Sequence, residues 1–61
     1  MKIKTILGEL VELNMLRKIF AIRGYNDKYN VLAEFDNGDT IVLNSFETKS
    51  EADNYLLELF K

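Results

Sequence analysis

The chain has no cysteine, no histidine and no proline, and only three glycines. Without cysteine there is no disulfide framework. Without cysteine and histidine the usual zinc-ligand sets cannot be assembled. The same two absences remove the side chains most used in general acid–base and nucleophilic catalysis. Phosphate-binding loops need closely spaced glycines, and Gly8, Gly24 and Gly38 are too far apart. No apolar run approaches the roughly 18–20 residues of a membrane span. No long apolar stretch follows Met1, Lys2, Ile3 and Lys4, as a secretory signal requires. The expectation is a cytoplasmic protein with no cofactor, no metal, no catalytic residue and no membrane partner.

What is present describes one small globular domain over residues 1–61. Hydrophobic residues are 48% and charged residues 30%, unlike a disordered chain. A domain of about 60 residues buries only about 60% of its unfolded surface. Such a core rarely supplies more than about 3–5 kcal/mol, so small scaffolds are often reinforced by disulfides, metals or oligomerisation. With the first two excluded, self-association is expected.

Net charge is −2, but it is unevenly spread. Residues 1–30 carry Lys2, Lys4, Arg17, Lys18, Arg23 and Lys28 against Glu9, Glu12 and Asp27, giving +3. Residues 31–61 carry Lys49 and Lys61 against Glu34, Asp36, Asp39, Glu47, Glu51, Asp53 and Glu58, giving −5. Solvated faces account for this. A dipolar surface that orients a charged partner is the alternative.

The clearest local signal is a hairpin. Residues 29–35 and 40–45 are β-prone runs around Asp36, Asn37, Gly38 and Asp39. Asn-Gly points to a type I′ turn. Upstream, Arg17–Gly24 reads as a third strand, and residues 24–28 as a turn. The C-terminus reads as a helix. Thr48 and Glu51 have capping-box spacing. Ala52, Tyr55, Leu56, Leu59 and Phe60 form one apolar stripe. The first sixteen residues read as two strands meeting at Gly8. A helix with Ile3, Leu7, Leu10, Leu13 (or Asn14) and Leu16 on one side is the alternative. The fold class is therefore α+β: an antiparallel meander sheet of four to five strands with one C-terminal amphipathic helix on one face.

Catalysis by paired carboxylates would need two of the ten acidic residues in a cleft. Asp36 and Asp39 flank a turn, and Glu51, Asp53 and Glu58 fall on the polar side of the helix. The Asp36–Asp39 turn lacks the twelve-residue ligand frame of a calcium loop.

Apolar residues exceed what one covered sheet face needs. The period-2 rule suggests that the helix covers Phe20, Ile22, Tyr29, Val31, Ala33, Phe35, Ile41 and Leu43. Ile19, Ala21, Leu32 and Val42 then form an apolar centre on the other face, with Arg17, Arg23 and Glu34 in its rim. An apolar centre with a polar rim is interface anatomy. A homodimer built there is the expectation. A sheet that curls to cover itself is the alternative. Arg23, Tyr25 and Lys28 are the candidate contacts for single-stranded nucleic acid. The acidic chain disfavours that reading.

The run Gly8–Asn14, the turn Phe35–Asp39 and the closing segment Glu51–Leu59 resemble small proteins of Gram-positive bacteria and their phages. The resemblance covers most of the chain and transfers no site residues. It implies an accessory regulator, or an inhibitor of a host protein in the manner of anti-CRISPR proteins, acting through the acidic C-terminal half.

Overall fold

A computed structural model describes residues 2–59. The order is β1 (Lys2–Lys4), β2 (Leu10–Glu12), β3 (Leu16–Arg23), β4 (Tyr29–Phe35), β5 (Thr40–Phe46) and α1 (Lys49–Leu59). The class is α+β, with every strand pair antiparallel. The five strands do not make one sheet. β1 and β2 pair only with each other, and β3, β4 and β5 form a separate meander. Between them Met15 adopts φ +61°, a conformation uncommon for a side chain of that size. It turns the chain before β3 can extend the β2 ladder. Among the described residues one backbone bond ties the two sheets together, from the Ile6 N–H to the Leu43 carbonyl at 2.9 Å.

All three hairpins use one loop design. In each, the first residue's N–H donates to the carbonyl four residues on. The fourth residue's N–H donates back to the first carbonyl. The loops are Thr5–Glu9, Gly24–Lys28 and Phe35–Asp39. The fourth position has positive φ in each: Gly8 at +86°, Asp27 at +61° and Gly38 at +92°. This is a three-residue loop of type I turn plus left-handed bulge. The type I′ turn expected at Asn37-Gly38 is therefore corrected, because Asn37 is not among the residues at positive φ. Gly38 remains the position that needs it.

Two further bulges shape the meander. One lies at Arg17, between the pairs Leu16 with Phe35 and Lys18 with Glu34. The other lies at Leu43, between Val42 with Leu32 and Asn44 with Val31.

The core lies between the meander and α1. Val31, Ala33, Leu43 and Ala52 are fully buried. Ile3, Leu16, Ile19, Ala21, Phe46, Tyr55, Leu56 and Leu59 pack around them. Ala52 carries only a methyl group, so the helix backbone can approach β4 and β5 closely. The Phe46 and Tyr55 rings meet at 5.4 Å and 48°. The expected capping box forms. Thr48 Oγ1 accepts from the Glu51 N–H at 3.2 Å, and Glu51 Oε1 accepts from the Thr48 N–H at 3.2 Å. The apolar stripe docks as its spacing suggested, through Ala52, Tyr55, Leu56 and Leu59. Its last member, Phe60, lies outside the described residues.

Candidate interaction surface

Loop length fixes strand register, and register fixes which side chains share a face. The Gly24–Lys28 loop sets Phe20 opposite Leu32, Ile19 opposite Ala33 and Ala21 opposite Val31. Val31 and Ala33 are buried beneath the helix, so Ile19 and Ala21 lie on the helix side. That corrects their expected place on the open face. Phe20 and Ile22, expected under the helix, are on the open face instead. The cause is the composition of β3, which is apolar at both parities from Ile19 to Ile22.

The side of the meander away from α1 is therefore three cross-strand rows. Lys18, Glu34 and Thr40 form the first; Phe20, Leu32 and Val42 the second; Ile22, Asn30 and Ser45 the third. Val42 is 40% exposed and Ile22 45%. Phe20 and Leu32 are half-buried by their neighbours on the same face.

The charges of the first row are paired within the chain. Arg17 Nε lies 3.5 Å and Lys18 Nζ 3.9 Å from the Glu34 carboxylate. The Lys18 ammonium also sits 4.9 Å from the centre of the Phe20 ring, within cation–π range. In the third row Ser45 Oγ donates to Asn30 Oδ1 at 2.6 Å. Gly24 is small because Asn30 lies against it. A Cβ there would come within 2.6 Å of Asn30 Nδ2.

The apolar row continues around the β5 edge. Leu7, 80% exposed at the tip of the first hairpin, lines a shallow hollow with Val11, Ile41 and Val42. The open surface thus runs from Phe20 through Leu32 and Val42 to Leu7. Sequence reasoning found Leu32 and Val42 and missed Phe20, Ile22 and Leu7. Counting outward from a three-residue loop at Tyr25–Asp27 would have found the first two.

The remaining candidates are dispersed. Arg23 faces Asp27, with NH2 2.9 Å from Oδ1, and does not join Arg17 and Glu34. Lys28 Nζ is 3.4 Å from Glu47. Tyr25 is fully exposed at the tip of its loop. Arg23 and Lys28 are thus each matched by a carboxylate beside Tyr25. Among the described residues there is no group of three or more acidic, histidine or cysteine side chains placed to hold a metal ion. No helix among them is long and apolar enough to cross a membrane. Compared with protein-family models, with curated proteins and with solved structures, the chain matches none.

Proposed function

We propose that the protein is a non-enzymatic interaction module that works as a homodimer, in an accessory or regulatory role. One observation supports this above the others. The chain's only described helix covers one face of the meander, and the other face presents Phe20, Leu32, Val42 and Ile22, with Arg17 and Lys18 at one end both drawn to the Glu34 carboxylate. A covered face and a polar open face would be the arrangement for a meander that works alone.

The rows also suggest how two copies meet. Face-to-face sheets pack about 10 Å apart with strands nearly aligned. The two-fold axis then lies in the interface plane. An axis along the strands sets Glu34 over Glu34 of the other copy, with like charges opposed. An axis along the Phe20–Leu32–Val42 row stacks that row on itself. It sets Glu34 over the neutral Asn30 and Ser45 row of the other copy, which is the arrangement proposed. Each buried side chain of leucine size contributes about 1.5–3 kcal/mol.

The test is light scattering of the wild type and of Val42→Lys. Val42 is partly exposed, so the lysine is compatible with a folded monomer. The expected result is a mass of twice 7.1 kDa for the wild type and half that for the variant. A wild type at 7.1 kDa throughout would overturn the proposal.

A further inference from the structure

We infer that the free edge of β3 docks an extended peptide segment bearing an acidic side chain at its C-terminal end. This is independent of self-association through the open face. β3 and β5 are the two edges of the meander. The β5 edge is occupied at its bulge, where the Leu43 carbonyl accepts from Ile6. The β3 edge is not. The Gly24 N–H donates to the Lys28 carbonyl at 2.8 Å, which sets the phase of the ladder. Inward and outward residues alternate along an antiparallel strand. Ile22, Phe20 and Lys18 therefore bond to β4, and Arg23, Ala21 and Ile19 turn their N–H and C=O groups away from it. Among the described residues no backbone bond from another element reaches those three. Such a row is a template for one more strand.

Charge selects the occupant. Arg17 and Lys18 share a single carboxylate, Glu34. Their side chains are 66% and 57% exposed, and one positive charge is left over at that end of the strand. A second copy of β3 fits poorly. Antiparallel pairing about Ala21 would set Lys18 of each copy opposite Gly24 of the other and Arg23 opposite Ile19, so a second copy brings no carboxylate to the surplus charge. A foreign segment with a carboxylate opposite Lys18 and apolar residues opposite Phe20 and Ile22 satisfies both the ladder and the charge.

The probe is a blocked heptapeptide, Thr-Thr-Val-Thr-Val-Thr-Glu. In antiparallel pairing its glutamate falls opposite Lys18 and its valines opposite Phe20 and Ile22. Amide hydrogen exchange is followed by NMR on the full chain. The expected result is saturable binding that slows exchange at Ile19, Ala21 and Arg23 by about tenfold or more. A peptide ending in lysine should bind about fivefold more weakly. Ala21→Pro removes an outward N–H where proline is tolerated and should abolish binding. Lys18→Glu should reverse the preference between the two peptides, which keeps the test decisive if the proline variant does not fold. Three results would overturn the inference. They are no protection at those amides with millimolar peptide, equal affinity for the two peptides, or binding that perturbs Leu32 and Val42 and survives Ala21→Pro.

Discussion

Gly38→Val isolates the conformational demand of the last hairpin. Gly38 has φ +92°, and a Cβ built there meets nothing within 4 Å. The Cβ meets no neighbour, so the cost at that atom comes from the backbone conformation. Left-handed φ costs an ordinary residue roughly 1–2 kcal/mol. β-Branching raises this toward about 3 kcal/mol. Restricting the unfolded chain returns about 0.4–1 kcal/mol. The net loss is therefore about 1–2 kcal/mol. For a domain of this size each kcal/mol moves the melting temperature by roughly 4–8 °C. Thermal unfolding followed by circular dichroism should show a fall of about 4–16 °C. Gly38→Asn is the control, because asparagine tolerates the left-handed region. It should lose less than half as much. Equal melting temperatures for the valine and asparagine variants would refute the assignment of positive φ to this position.

Leu43→Ala should be the more damaging change, because Leu43 is fully buried at the β5 bulge. Chemical denaturation should show a loss of about 2–5 kcal/mol, and under 1 kcal/mol would mean the core is centred elsewhere. Thr48→Ala should cost about 1 kcal/mol through loss of the two bonds of the Thr48 hydroxyl, which accepts from the Glu51 N–H and donates to Glu51 Oε1; an unchanged midpoint would show that the cap does not hold in solution. Burial raises the Tyr55 pKa above its ordinary value of 10.0, so the folded state holds that proton more tightly than the unfolded one. Its contribution is complete below the ordinary value and is lost as pH rises through and beyond it. The melting temperature should fall less steeply above about pH 10 in Tyr55→Phe than in the wild type; identical slopes would contradict the burial of this hydroxyl.

The hairpins and the helix were legible because their punctuation is local. Thr48 and Glu51 announce the cap, and Gly8 and Gly38 mark left-handed loop positions. Asp27 fills the same position in the second loop without a glycine to signal it. The phase of β3 was harder. Residues 19–22 are Ile, Phe, Ala and Ile, so period 2 cannot tell inside from outside, and only the loop length decides. The division into two sheets had no readable signal, since it turns on Met15 at φ +61°. The bulges at Arg17 and Leu43 were likewise silent. The candidate surface was therefore half found. Leu32 has polar Asn30 and Glu34 two places away on either side, and Val42 has Thr40 and Asn44, whereas their β3 neighbour Phe20 has Ile22 on one side.

Sedimentation equilibrium of the wild-type chain, from nanomolar to submillimolar concentration, tests the central proposal most directly. A homodimer on the Phe20–Leu32–Val42 row predicts a mass that climbs from 7.1 kDa to twice that value and stops there. A mass fixed at 7.1 kDa over the whole range, or one that rises past the dimer without limit, would contradict it.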